Sequence, residues 1–370
     1  MRVAVDATPL LDVPTGIVVF TRELLGRLSR CDDLDVVAYG LTRRYRAELA
    51  RRLPPGVAPT RWPVPARSML ALWRRMPFPP MEAWTGRVDV VHGPNYVVPP
   101  TRRATALMTI HDLSCVRFPH LCDAQTRRYP VQIAAALRRG AHVHAVSATV
   151  AAEVGEHFAV PSDRIHVVHN GVSPPPPGDP ARGRQLAGGG PFVLAVGTIE
   201  PRKDLVTLVR AFDAAAATSA ARDLRLVLAG KRGWGADQLD AAIAAAVHRA
   251  RIVQLGWVDD QERADLLHAA TVLAYPSVYE GFGLPPLEAM LAGVPVVTTS
   301  AGALPEVVGR AALQVPVGDA DELAAALLRA IDDEVLRGRL VRDGRDRARR
   351  YSWDACAHGL VEVYEKIRAG

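Results

Sequence analysis

Short apolar runs, each ended by Gly, Pro, Asp or Ser, alternate along the chain with longer stretches whose apolar residues recur at helical spacing. Residues 2–5 read as a strand broken by Asp6-Ala7-Thr8-Pro9, and 17–28 as a helix. Further strands are expected at 36–39, 88–92, 104–110, 140–147 and 164–169, with Ser147 placed to cap a helix over 148–157. The rhythm resumes at 192–197, 224–229, 252–255, 271–275 and 294–298. Helices are expected from near Leu205, over 260–270 and after Gly283. Strands and helices in alternation predict parallel sheets covered by helices.

The pattern is interrupted once. Residues 173–190 (SPPPPGDPARGRQLAGGG) carry consecutive prolines and a closing run of glycines, which favour extended backbone and then release it. This stretch reads as a linker that cannot be a core element. With 370 residues in the chain, two domains are expected, 1–172 and 191–350, followed by a closing segment over 351–370.

Composition narrows the partners. The net charge of +6 favours anionic ligands such as nucleotide phosphates or a lipid headgroup surface, without an aromatic-basic repeat or DNA-binding motif to indicate nucleic acid. Arginine supplies nearly all of it; lysine occurs only at Lys203, Lys231 and Lys366. The four cysteines show no metal-finger spacing, and no apolar run approaches the roughly 20 residues that span a bilayer. With no signal pattern at the start, a cytoplasmic protein is expected. Residues 61–84 set Trp62, Trp73 and Trp84 among arginines 61, 67, 74 and 75. That mixture raises peripheral membrane contact, but the prolines interrupt any long amphipathic helix and favour an insertion packed on its own domain.

Candidate chemistry concentrates after the strands. Thr271 to Tyr275 leads into Tyr279-Glu280-Gly281-Phe282-Gly283-Leu284-Pro285, a glycine-bearing turn entering a helix that carries Glu288. Small residues let backbone N–H groups approach an anion, and a helix N-terminus adds positive potential. Glu280 can then accept hydrogen bonds from neutral hydroxyls, and Glu288 from a second pair such as a ribose diol. Either acid alone reads better as a solvated loop residue or a charge balancing the helix start; the whole string does not. Gly197-Thr198-Ile199-Glu200-Pro201-Arg202-Lys203-Asp204 forms a second strand-to-helix turn, with adjacent cations that suit a leaving diphosphate. Gly16 lies in the first strand-to-helix loop, and His111 at the end of a strand, where it faces either a ligand or its own backbone. Asp32 and Asp33 read as a solvated turn, and no required metal or cofactor is expected.

Glu280 and Glu288, separated by seven residues on strand–turn–helix, resemble the E-x7-E signature of retaining glycosyltransferases of family 4. Thr109-Ile110-His111-Asp112-Leu113, the G-T-x-E-P-R-K-D string and His169-Asn170-Gly171-Val172 are similar to further strings of that family. The resemblance implies the α/β GT-B fold: two doubly wound, Rossmann-like domains facing across a nucleotide-sugar crevice, with a last helix crossing back to the first domain. It implies Glu280, His111, Arg202 and Lys203 as catalytic residues. Gly16, Gly281, Phe282, Gly283, Leu284, Glu288 and, through backbone near the base, Val258 would bind the donor. Asp112 is expected to cap a loop or helix, and His169 and Asn170 to be structural. The implied reaction moves a hexose, first of all mannose from GDP-mannose, from a nucleotide diphosphate sugar to a hydroxyl acceptor in polysaccharide, glycolipid or natural-product synthesis. Ile17-Val18-Val19 after Gly16 departs from the family's usual polar sequence there. A nucleotide-sugar epimerase of the same architecture and a non-catalytic donor-binding partner remain alternatives, whereas a dehydrogenase lacks its G-x-G-x-x-G after the first strand.

Overall fold

Apolar runs become parallel strands here because both faces of each sheet are covered, so a strand needs no polar side. Val3, Ala4 and Val5 are fully buried, as are Val193, Leu194, Val272 and Leu273. The computed structural model describes residues 1–13, 15–60, 62, 64–73, 75–218 and 223–369; Pro14, Arg61 and Arg74 lie outside the described residues. The chain divides into two units, Met1–Pro119 with Ala124–Gly171 and Tyr351–Gly370, and His120–Asp123 with Val172–Arg350.

The first unit holds a seven-stranded parallel sheet in the order β3-β2-β1-β4-β5-β6-β7. Its strands are β1 (Arg2–Asp6), β2 (Asp35–Tyr39), β3 (Ala58–Pro59), β4 (Val90–Gly93), β5 (Thr105–Ile110), β6 (His142–Ala145) and β7 (Ile165–Val167). The edge strand β3, not foreseen from the pattern, ends in a proline, which an edge tolerates. Gly16 is the first residue of the helix Gly16–Leu28 rather than part of the loop before it, since Thr15 takes the cap. Ser147 does cap its helix, accepting from the Val150 N–H at 3.1 Å. Asp112 accepts from both the N–H and the hydroxyl of Ser114, at 2.9 and 2.6 Å, and so pins the short helix Ser114–Arg117.

Between residues 61 and 84, the helix Ala66–Trp73 ends on a buried tryptophan. The Trp73 indole donates to the Pro79 carbonyl at 2.9 Å and meets Trp84 edge-on at 6.3 Å. Trp62 and Phe78 stay exposed. Among the described residues no helix is long and apolar enough to cross a membrane.

The last helix, Trp353–Arg368, is joined to this sheet by a buried polar chain. His144 Nε2 lies 2.9 Å from the Val168 carbonyl, which can only accept, so His144 donates there and accepts on Nδ1. Thr109 therefore donates to His144 at 2.9 Å and accepts from His92 Nε2 at 2.7 Å. His92 Nδ1 in turn accepts a hydrogen bond from the Tyr364 hydroxyl at 2.7 Å.

The second unit holds six parallel strands in the order β10-β9-β8-β11-β12-β13. These are β8 (Phe192–Val196), β9 (Arg225–Ala229), β10 (Ile252–Gly256), β11 (Val272–Tyr275), β12 (Val296–Thr299) and β13 (Leu313–Val315), the last also unforeseen. Its core gathers Phe212, Leu226, Leu228, Val297 and Leu327.

The expected linker over 173–190 is one only in its first part. Pro180–Leu186 is a helix with Asp179 as its cap and Pro180 at its first position, a pairing that starts helices well because proline lacks only an N–H that would be orphaned anyway. Buried Asp265, on the helix Asp260–Ala269, accepts from the Asp179 N–H at 2.7 Å, and Ala187 is fully buried. The segment therefore contributes to the core of the second unit, against expectation.

Candidate functional site

In an open parallel sheet, ligands meet the carboxyl ends of the strands where strand order reverses. In the second sheet that point lies between β8 and β11, since β8 connects to β9 on one side and pairs with β11 on the other. Arg202 and Lys203 follow β8, while Tyr275 ends β11 and residues 276–280 follow it. The topology thus brings the two turns read from the sequence to one place.

Their side chains interlock. Lys203 Nζ lies 2.5 Å from Glu280 Oε1 and donates to the Tyr275 hydroxyl at 2.8 Å. Arg202 Nη1 reaches Glu280 Oε2 at 2.9 Å and the Tyr279 carbonyl at 2.8 Å, and Arg202 Nη2 reaches Glu200 Oε1 at 2.7 Å. The backbone closes the same gap, with the Val278 N–H on the Arg202 carbonyl at 2.8 Å. Burial alone would raise the Glu280 carboxyl, but the charges of Arg202 and Lys203 outweigh it and hold it at about 2. Burial, and then the Glu280 charge, keeps the Tyr275 hydroxyl protonated.

Backbone geometry aims both turns. Asp204, at φ +47°, bends the chain sharply after Lys203 and caps the helix Leu205–Ala216 through the Thr207 N–H at 3.3 Å. On the other turn, Thr298 and Thr299 of β12 donate to the Tyr275 and Ser277 carbonyls at 2.9 and 2.6 Å. The Ala303 N–H holds the Glu280 carbonyl at 2.8 Å, and a Cβ on Gly302 would stand 2.3 Å from that oxygen, so only glycine lets this loop close.

Gly283, at φ +115°, caps the helix Leu284–Ala292. Of the four N–H groups that a helix start leaves without intrahelical acceptors, prolines 285 and 286 remove two, leaving Gly283 and Leu284 as the donors there. Gly281 and buried Phe282 lie in the turn before them. Glu288 faces the Arg263 guanidinium at 2.5 Å. Val258 is half-buried in the loop between β10 and the helix Asp260–Ala269.

The remaining two candidates belong to the first unit. His111, half-buried after β5, lies 2.7 Å from the Pro94 carbonyl through Nε2, so that nitrogen carries the proton and Nδ1 is left to accept. Burial pushes its pKa down and keeps the ring neutral. Phe20 and Tyr96 pack edge-on against it at 5.1 and 6.0 Å. Gly16 opens its helix, as described above.

Arg202, Lys203 and Glu280 thus come into direct contact, with the Gly281–Leu284 turn beside them. Glu288 sits one helix turn further on with a partner of its own. Glu200 and Tyr275 join the cluster without having been singled out from the sequence. Glu200 is the extended residue that caps the short 3-10 turn Pro201–Lys203, and nothing in the local sequence pattern marks it as a partner of Arg202. Arg263, 25 residues from Glu288, is unmarked in the same way. Among the described residues, no three His, Cys, Asp or Glu side chains come together to hold a metal ion.

Comparison with known proteins assigns the family. A model described as Glycosyltransferase Family 4 matches residues 14–174, and one described as Glycosyl transferases group 1 matches 190–333. The O-antigen chain mannosyltransferase B of Escherichia coli is 33% identical over 319 residues, covering 81% of this chain and 83% of that protein. The chain belongs to glycosyltransferase family 4. An MMP alpha-(1->4)-mannosyltransferase of Mycolicibacterium hassiacum is 36% identical over 233 residues, 60% of this chain and 54% of that one. Among solved structures, sucrose-phosphate synthase from Thermosynechococcus elongatus superposes with a TM-score of 0.75 at 20% identity, covering 100% and 99% of the two chains. WaaG, a glycosyltransferase involved in lipopolysaccharide biosynthesis, gives 0.72 at 17% identity over 98% and 99%. The fold of this glycosyltransferase is therefore GT-B.

Proposed function

We propose that this glycosyltransferase moves a hexose, with mannose from GDP-mannose as the first candidate, onto a hydroxyl acceptor with retention at the anomeric carbon. The observation that carries the reading is the Arg202–Lys203–Glu280 cluster at the reversal point of the second sheet. A diphosphate leaving group gains negative charge as the sugar departs, and fixed cations in a half-dry site stabilise that charge. The Gly283 and Leu284 N–H groups add donors of the same sense.

Glu280 gives one lone pair on each oxygen to the cations, a carboxylate has about four, and the Ser277 and Tyr275 hydroxyls also interact with it. Sugar hydroxyls can take the place of these neutral donors, which orients the ring. Glu288 accepts from the ribose diol, and backbone beside Val258 lies against the base. In the first unit, His111 accepts a sugar hydroxyl proton on Nδ1, and Gly16 lets backbone approach the ligand closely. No protein nucleophile is required if attack comes from the face the diphosphate leaves, with its phosphate oxygen taking the acceptor proton. The mannosyltransferases among the relatives support mannose, and the O-antigen relative supports a polysaccharide acceptor.

A nucleotide-sugar panel tests this, read by thermal shift and by release of free nucleotide with and without mannosides as acceptors. Stabilisation by one nucleotide, acceptor-dependent release, and an axial product linkage by NMR from an axial donor are expected. Inversion at that carbon would remove the retaining mechanism. A donor isomerised without any acceptor would remove the transfer itself.

A further inference from the structure

Arg202 is held at both ends of its fork by different acids. Nη2 pairs with Glu200 Oε1 at 2.7 Å, while Nη1 pairs with Glu280 Oε2 at 2.9 Å. The Glu200 side chain is only 10% exposed, so this is a built contact rather than a surface pair. Two carboxylates face two cations, and the cluster is formally neutral. An acid beside cations meant for a diphosphate opposes the binding of that diphosphate, and its presence needs a reason.

The reason lies in what Arg202 would do without it. A guanidinium and a carboxylate left to themselves close fork to fork, with two parallel N–H···O bonds. Arg202 would then take both oxygens of Glu280 and draw it off Lys203. Glu200 occupies Nη2, the Arg202–Glu280 contact runs through Nη1, which the Tyr279 carbonyl shares, and Oε1 stays with Lys203 at 2.5 Å.

We propose that Glu200 is a positioning residue for sugar transfer: by holding one arm of Arg202, it keeps Glu280 shared between Arg202 and Lys203 and open to a sugar hydroxyl. This rests on the donor-site reading above. Glu200 touches neither the sugar nor the diphosphate and acts through Arg202.

The test compares the full-length wild type with Glu200→Ala and Glu200→Gln. Affinity for GDP, UDP, ADP and dTDP is measured by calorimetry, and kcat and KM with the donor that turns over. Removing the opposing charge should leave nucleotide affinity unchanged or raise it by up to about ten-fold. In the same Glu200→Ala protein kcat should fall by about ten-fold or more, because Glu280 is misplaced. Glu200→Gln keeps an oxygen for Nη2 and should recover most of kcat. A merely structural residue would weaken nucleotide binding and turnover together, with a lower melting temperature. That result, or an unchanged kcat in Glu200→Ala, overturns the proposal while leaving the donor site standing. A wild type that binds none of the four nucleotides overturns the donor site and this proposal with it.

Discussion

Each unit buries a polar cluster beneath the ends of its strands, and the two are built from opposite materials. In the first, Tyr364, His92, Thr109 and His144 form a chain of neutral groups, all fully buried, whose protons run one way to the Val168 carbonyl. Each imidazole has its single donor and single acceptor in use, so the chain has little left to offer a ligand. Its product is the docking of the last helix. In the second, Glu200, Arg202, Lys203 and Glu280 are charged and 9–16% exposed at their side chains, and the two carboxylates keep acceptor capacity that a hydroxyl can claim. Buried polarity alone therefore does not mark a site. Charge with capacity in reserve does.

The largest effect that could break this contrast is catalytic. Lys203→Ala should lower kcat/KM by about 100- to 1000-fold, the usual loss when one fixed donor to developing charge is removed. Tyr364→Phe should leave kcat/KM within about two-fold, since it touches only the neutral chain. Steady-state kinetics on both variants decides it. If Lys203→Ala kept more than about a tenth of the activity, or Tyr364→Phe lost as much, the contrast would fail.

Acid should separate the units next. Burial holds His144 at about 3 against an ordinary 6.5, so the unfolded chain takes up that proton first. Its contribution is fully present above pH 6.5 and is lost as pH falls from 6.5 towards 3. His92, His111, His142 and His166 are also lowered by burial and lose stability in the same sense, His166 at about 4. Asp6 works against them: burial raises it from 3.8 to about 6, so protonation favours its folded form across that window. Asp12, also raised by burial, acts with Asp6, so two carboxyls oppose five histidines. Glu280, held at about 2 against 4.5, keeps its contribution down to pH 4.5 and loses it only between 4.5 and 2. Hydrogen exchange measured across this range should show strands of the first unit losing protection at higher pH than β8 and β11. Simultaneous loss in both units would refute the assignment.

The neutral chain has a stability test of its own. Tyr364→Phe leaves buried His92 Nδ1 without its donor at 2.7 Å and should cost about 1–2 kcal/mol. Differential scanning calorimetry would register that as a melting point lower by about 2–4 °C per kcal/mol. No change would mean that the hydroxyl contributes nothing to helix docking.

What the sequence revealed divides along the same physical line. Strands were legible because burial on both faces leaves uninterrupted apolar runs, and Ser147 because a cap acts over three residues. Glu280, Arg202 and Lys203 were legible as candidates because each stands in a turn after such a run. Partnerships across long separations were not. His92 meets Tyr364 across 272 positions, and nothing in either neighbourhood announces the other. The helix Pro180–Leu186 was hidden because proline and glycine dominate its surroundings, while the acid that anchors Asp179 lies 86 residues away. Glu200 stands in a recognisable motif but its role is not legible there, because its effect runs through the second arm of Arg202, and only the folded loop shows that arm.

The smallest expected effect tests where the ionic cluster ends. Arg263 and Glu288 also form a close pair, at 2.5 Å, but their side chains are 27% and 15% exposed, and Arg263 has Asp260 as a second neighbour at 3.9 Å. Water screens such a pair, so Arg263→Ala should cost about 1 kcal/mol or less. Among the described residues Glu288 has no second cation to misplace it, and it remains able to meet a ribose diol from the same helix turn. Nucleotide affinity should therefore change by less than about five-fold, or roughly 1 kcal/mol. Calorimetry with GDP and UDP on Arg263→Ala beside Lys203→Ala measures the difference directly. Were Arg263→Ala as damaging to turnover as Lys203→Ala, the charged site would extend along the helix Leu284–Ala292, and half-exposed pairs would have to be counted within the catalytic cluster rather than beside it.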